Sequence, residues 1–297
     1  MSPVERSGPQ ITHQGARSAD QNERLRIAVL TSSGPHHRYL VATLRAAGFD
    51  VRLVVIEPWA AQRRRRWKLG KRKDWAWIVY HDLRRRLLGL DAYRRGAFAN
   101  LPTPLGPQPR TLTVDWINDQ AVVDALRQAQ PDVTVVMGTG IIKDRVLEAA
   151  GGIVINIHGG YLPDYRGNHC MFFALYNGDF DHIGTTLHFV DRGIDTGDIL
   201  EVVVPALRPD DNAEAMYCRA ELAAVHRLAN WLDHYEKGGE LPRTPQGRKG
   251  KLHNTRDRKP QHDLSVWWRR RTGRLVVPER EARAPLPVPG TREDIAQ

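Results

Sequence analysis

The chain has 297 residues, 41% apolar and 26% charged, a globular composition with length for one large domain or two small ones. No apolar run nears the roughly 18 residues that span a bilayer, the polar N-terminus lacks the apolar core of a secretory signal, and only two cysteines, Cys170 and Cys218, argue against a disulfide framework and for a cytoplasmic setting. The net charge of +10 is concentrated, because 13 Lys/Arg between Arg63 and Arg95 face only Asp74, Asp82 and Asp91, a segment suited to phosphates or simply to solvent.

Residues 1–24 are polar and aperiodic and read as a disordered leader. Residues 26–31 (RIAVLT) read as a buried strand that ends in Ser32-Ser33-Gly34-Pro35. Tyr39, Leu40, Ala42, Leu44 and Ala47 then recur at helical spacing as far as Gly48, and residues 51–57 (VRLVVIE) form a second strand. Strand, turn, helix and strand in that order make a βαβ unit, which implies a parallel sheet. The pattern breaks over 60–100, where Trp67, Trp75, Trp77 and Tyr80 sit among the charges. There Leu83, Leu87, Leu88 and Tyr93 mark at least one amphipathic helix. Residues 101–110 read as a Pro-rich linker. The alternation resumes with a helix over 118–130, a strand over 132–137, a helix over 143–150 and a strand over 152–157.

The main domain, 25–245, is therefore α/β, a doubly wound and mostly parallel sheet with a basic helical insertion and linker at 60–110. Residues 185–191 and 198–205 alternate like antiparallel edge strands, and 211–237 is a long helix. Pro, Gly and basic residues dominate 246–297 around Trp267-Trp268, so this extension is expected to be largely irregular, with a disordered tail.

Polar residues and glycines are densest over 156–198. Asn156 and His158 stand two apart in a strand, so they share a face at its carboxyl end, where a doubly wound sheet gathers ligands. Gly159-Gly160 permits a tight exit, the loop through Tyr161, Leu162-Pro163 and Tyr165-Arg166-Gly167 reads as ordered, and 193–198 (GIDTGD) brackets two carboxylates with glycines. An amide N–H and a protonated imidazole suit a developing oxyanion, and a neighbouring carboxylate keeps the imidazolium populated. This set fits acyl transfer to an amine without a covalent nucleophile. Its plain alternative is a hydrogen-bonded pair at a strand end. His169, Cys170, His182 and His188 match no tetrahedral zinc spacing, so no metal is expected. Ser33 and Gly34 precede a helix whose N-terminus suits an anion, with His36 and Arg38 nearby.

NIHGGYLPDYRG (156–167), ALYNGD (174–179) and GTTLHFVDRGIDTGDIL (184–200) resemble, in order and spacing, the catalytic signature of the 10-formyltetrahydrofolate-dependent formyltransferases. That family includes glycinamide-ribonucleotide, methionyl-tRNA and sugar N-formyltransferases. The likeness covers about 130–205, extends more loosely to 26–57, and shows an apparent insertion near Ile183. It implies Asn156, His158 and Asp195 as catalytic residues and 10-formyltetrahydrofolate as co-substrate. It also implies a folate lying against Met137, Gly138, Thr139, Gly140, Ile141 and Ile142 and against Gly193, Ile194, Thr196, Gly197 and Asp198. The acceptor would then meet Ser33, Gly34, His36, Arg38, Tyr161 and Arg166. Two departures shape the acceptor. The turn at 32–35 has a single glycine where phosphate-holding relatives are Gly-rich, and residues 245–297 are too short and charged for the C-terminal barrel of the tRNA enzymes. The expected acceptor is thus a small primary amine, an amino sugar or a specialised metabolite. Methionyl-tRNA formylation, hydrolysis of the donor, and a non-catalytic nucleic-acid or membrane-binding module remain the alternatives.

Overall fold

The βαβ start consists of β1 (Arg26–Thr31), α1 (Pro35–Ala46) and β2 (Asp50–Ile56), with β1 and β2 parallel, in a computed structural model that describes residues 24–286. The leader, Arg24 apart, and the last part of the tail lie outside the described residues. The basic segment folds as three helices, α2 (Trp59–Lys68), α3 (Arg72–Leu87) and α4 (Leu90–Ala97), around buried Ala61, Ile78 and His81. The Pro-rich linker ends in a strand too short to show a period, β3 (Arg110–Thr113). Then follow α5 (Gln120–Ala129), β4 (Val133–Met137), α6 (Asp144–Ala149), β5 (Ile153–His158), β6 (Tyr165–Gly167), α7 (Cys170–Asn177), β7 (Thr185–Phe189), β8 (Ile199–Val203) and α8 (Ala213–Glu236). The extension expected to be irregular holds β9 (Lys251–His253) and α9 (Pro260–Arg271). Its tail pairs back through Leu207 and Arg280.

The seven-stranded sheet has the order β3-β2-β1-β4-β5-β7-β8, parallel from β3 to β5 and antiparallel beyond, with β6 and β9 forming a separate pair. Alternate side chains feed two cores, as period-2 strands require. Ile27 and Val29 pack with Leu40 and Leu44 of α1 and with Val225 and Leu228 of α8, whereas Ala28 and Leu30 pack with Val122 and Leu126 of α5. α8 starts at Asn212, whose side chain accepts from the N–H groups of Glu214 and Ala215, both at 2.9 Å. Among the described residues no helix is long and apolar enough to cross a membrane. Strand order reverses between β1 and β4, which opens a crevice at their carboxyl ends beside the end of β5.

Candidate active site

Asn156 and His158 share the parity of Val154 on β5 and stand where the apolar cluster of that face ends, while Ile155 and Ile157 fill the opposite core. The β5–β7 register sets His188 opposite Asn156 and Thr186 opposite His158. The Asn156 amide donates to His188 Nε2 at 3.0 Å, and His188 Nδ1 donates to the Phe189 carbonyl at 2.8 Å, the tautomer that leaves Nε2 as an acceptor. Burial pulls the His188 pKa down to about 4 although Asp195 opposes it, so the ring is neutral near pH 7. The Thr186 hydroxyl donates to the Gly160 carbonyl at 2.7 Å and accepts from the Leu162 N–H at 3.1 Å, which fixes the exit from β5.

Asp195 has the left-handed φ of 51°, a conformation its short polar side chain tolerates. Its loop is tied at several points. Asp191 accepts from the Gly193 N–H at 2.9 Å and the Thr196 hydroxyl at 2.7 Å, and Gln246 donates to the carbonyls of Asp195 (3.1 Å) and Gly197 (2.7 Å). Arg166, expected to meet substrate, is buried and donates to the Ile194 and Gly250 carbonyls, which makes it a support of this loop. The Gly167 N–H donates to Asp195 Oδ2 at 2.8 Å. That carboxylate lies 3.6 Å from His158 Nδ1 and 3.7 Å from His188 Nε2, while His158 Nε2 lies 3.0 Å from the Tyr165 carbonyl. Burial alone would raise the Asp195 pKa, yet His158, His188, the Gly167 N–H and Arg166 hold it below the usual carboxylate range. The structure thus brings Asn156, His158 and Asp195 together and adds His188, an isolated strand histidine in the sequence.

A second constellation closes the β1–β4 crevice. The Thr31 hydroxyl donates to the Met137 carbonyl at 3.1 Å and so accepts, at 2.9 Å, from His37 Nδ1. Glu57, buried at the end of β2, accepts from the N–H groups of Gly140 (2.7 Å) and Ile117 (3.2 Å), and Gln62 of α2 donates to the Gly138 carbonyl at 3.3 Å. Asn118 holds the Ile141 carbonyl at 2.8 Å and the Lys143 N–H at 2.6 Å. Residues 137–142 are therefore a fixed segment, and Arg192 Nε lies 3.6 Å from Asp144, linking the 193–198 loop to the start of α6. Ile141 and Ile194 remain 68% and 37% exposed, one apolar side chain on each segment.

A cavity of about 920 Å³ runs from Ser33, Gly34 and His36 past Gly138 and Gly159 to Cys170. Its far walls are the insertion and α9, with Arg84, Arg94 and Trp267 among them. His158 lies directly behind this wall, with Nε2 3.7 Å from the Cys170 sulfur. Arg38 instead lines a smaller adjoining cavity of about 530 Å³ with Arg86 and Arg95, and Tyr161 lies away from both, its hydroxyl accepting from Arg283 at 3.2 Å. A polar seam clamps the insertion to α8. Glu214 accepts from Arg85 (2.9 and 3.1 Å) and from Arg94 (2.6 Å), and the Arg94 guanidinium lies 4.5 Å from the Tyr217 ring centre. Tyr217 in turn covers Gly159, where a Cβ would collide with its ring. Among the described residues no group of three or more His, Cys, Asp or Glu is placed to hold a metal ion.

The methionyl-tRNA formyltransferase of Burkholderia orbicola (strain MC0-3) is 32% identical over 169 residues, 57% of this chain and 49% of that protein. The corresponding protein of Finegoldia magna is 33% identical over 127 residues, 42% of this chain and 41% of the relative. The chain thus spans about half the length of the curated relatives it matches. In fold it is similar to a 4-N formyltransferase from Francisella tularensis (TM-score 0.50, 12% identity, 88% of this chain and 100% of that one). A sugar N-formyltransferase from a Shewanella species is comparably similar (TM-score 0.50, 15% identity, 82% and 87%). The formyl transferase family model matches residues 25–230, and the chain belongs to that family.

Proposed function

We propose that the chain transfers the formyl group of 10-formyltetrahydrofolate to a primary amine of a small acceptor, an amino sugar or a specialised metabolite. The observation that carries this reading is the convergence of Asn156, His158 and Asp195 at the end of β5, with the His158 ring between the Asp195 carboxylate and Cys170, a wall residue of a cavity whose volume is that of a small-molecule site. The folate supplies the activated formyl group. Met137, Gly138, Thr139, Gly140, Ile141 and Ile142 on one side, and Gly193, Ile194, Thr196, Gly197 and Asp198 on the other, would hold its flat ring, with Ile141 and Ile194 offering apolar contact. The buried Gln246 Oε1, unpartnered beside the Asp195 and Gly197 carbonyls, suits a ring N–H.

From the cavity side, with Ser33, Gly34 and His36 on its wall and Arg38 at its edge, the acceptor amine would reach the formyl carbon as a neutral nucleophile. One Asn156 N–H is committed to His188, and the other is left for the oxyanion. His158, whose Nε2 is committed to the Tyr165 carbonyl, would meet that same oxygen through Nδ1, the nitrogen that faces Asp195. Asp195, ionised, faces it as the compensating charge. Holding both substrates on a rigid strand end accounts for a large part of the acceleration.

The resemblance to methionyl-tRNA formyltransferases favours a second reading, in which the amine is carried on tRNA. A mass-spectrometric screen of amines and of methionyl-tRNA with the folate donor separates the two. A product heavier by one CO on a small amine supports the first reading, formylation of methionyl-tRNA alone replaces it, and release of formate without any amine product rejects both.

A further inference from the structure

Two stripes of exposed apolar side chains border the mouth of the cavity. On α3 and the turn after it, Leu83, Leu87 and Leu88 are 53%, 75% and 61% exposed, and on α9 Leu264, Trp267 and Trp268 are 63%, 57% and 53% exposed. The start of α9 is tied to α3, because Asp263 accepts from Arg84 at 3.1 Å and from the Tyr80 hydroxyl at 3.4 Å. Leu88 and Trp267 both line the cavity, so each stripe reaches it. Asp82 and Asp263 turn inward. Asp82 takes Arg63 and the Trp59 indole N–H, both at 2.8 Å, and Asp263 takes Arg258 as well as Arg84. The exposed charges beside the stripes are cationic, Arg86 beside Leu87 and Arg271 one turn beyond Trp267 and Trp268, with Arg95 and Lys259 also exposed, while Asp210 on the cavity wall is an exposed carboxylate.

We propose that this face docks on the surface of an anionic lipid bilayer. Leucines enter the acyl boundary, tryptophans sit at headgroup depth, and arginines meet lipid phosphates, which is the pattern these six side chains and their cationic rim present. Single-stranded nucleic acid would use stacking platforms and basic grooves, in which exposed leucines have no part. A symmetric pairing of two copies would bring one cationic rim against the other. Docking sets the cavity mouth against the membrane, so an amine carried on an amphiphile enters from the bilayer. This last step rests on the acceptor reading above, whereas the docking itself does not.

The test is flotation of the full chain with vesicles of phosphatidylcholine alone or mixed with phosphatidylglycerol, using Leu87→Glu and Trp268→Glu, neither of which lines the cavity. The chain is expected to float only with the anionic vesicles and to release them at high salt. Each variant should weaken that binding about tenfold or more, while its circular dichroism and its binding of 5-formyltetrahydrofolate stay unchanged. Absence of flotation at low salt, or flotation untouched by either variant, overturns the proposal. So does a dimer in sedimentation velocity that both variants dissociate, or an RNA complex that displaces the vesicles. Flotation that persists in a chain unable to bind the folate would keep the docking face and remove the functional reading.

Discussion

Glu221 sits on α8 with 1% exposure, next to the Tyr217–Arg94 seam that joins the insertion to the site, and its Oε2 has no hydrogen-bond partner among the described residues. Burial pushes its carboxyl from the ordinary 4.5 up to about 8, with Arg94 and a hydrogen bond to Tyr217 pulling the other way. In that window the folded chain keeps a proton that the unfolded chain releases. This group's contribution is therefore full below the unfolded pKa and is lost as pH rises toward the folded one, at about 1.4 kcal/mol per pH unit. Between pH 5 and 7 the loss amounts to roughly 2–3 kcal/mol. Glu221→Gln copies the shape of the protonated acid and removes the titration. It should match the wild type to within about 1 kcal/mol at pH 5 and exceed it by roughly 2–3 kcal/mol at pH 7. Urea unfolding of both proteins at both pH values reads this as a difference of differences, so other carboxylates cancel. An equal offset at the two pH values, or a larger gain under acid, would refute the reasoning.

Asp195→Asn keeps a residue suited to the left-handed backbone, so it should fold while turnover falls about 10²–10⁴-fold; unchanged turnover would contradict the role. The depressed Asp195 pKa gives the wild type stability that is present above the unfolded carboxyl pKa and lost as pH falls through the folded one, an acid limb that acid titration of Asp195→Asn should lack. Gly167→Ala would put a Cβ against the His253 carbonyl at φ 85° and displace the N–H that holds Asp195, so denaturant melts should show a loss of about 2 kcal/mol or more together with lost activity. Arg94→Met leaves buried Glu214 with Arg85 alone and uncovers Tyr217. Stability should fall by about 2–4 kcal/mol, and steady-state kinetics should show KM rising for the acceptor more than for the folate.

The doubly wound core was legible because its signals are periodic. RIAVLT, the spacing of Tyr39 to Ala47, and GIVINI each bury a face, and β1, α1 and β5 lie where that periodicity put them. The pair Asn156 and His158 was legible for the same reason, as a strand fixes the direction of residues two apart. His188 was not, because only the β5–β7 register brings it opposite Asn156. Glu57 and Gln246 were missed likewise, since each acts on a backbone group distant in sequence: Gly140 in one case, Asp195 and Gly197 in the other. Arg166 was assigned to the acceptor from its place in the motif, and the Ile194 carbonyl claims it instead. The basic segment read as charge with at least one amphipathic helix. Its α3 and α4 are held by ion pairs to Glu214 and Asp263, which lie far along the chain, and α9 was obscured by the Pro- and Arg-rich composition around it.

The most direct measurement follows an isotope-labelled formyl group from 10-formyltetrahydrofolate to an amine, under single turnover, in the wild type and in His158→Ala. Formyl transfer through His158 predicts a labelled N-formyl product from the wild type and a rate lower by about 10³-fold or more in the variant, with folate binding and melting temperature retained. Near-normal transfer by His158→Ala, or label recovered only as formate with every amine tried, would contradict it.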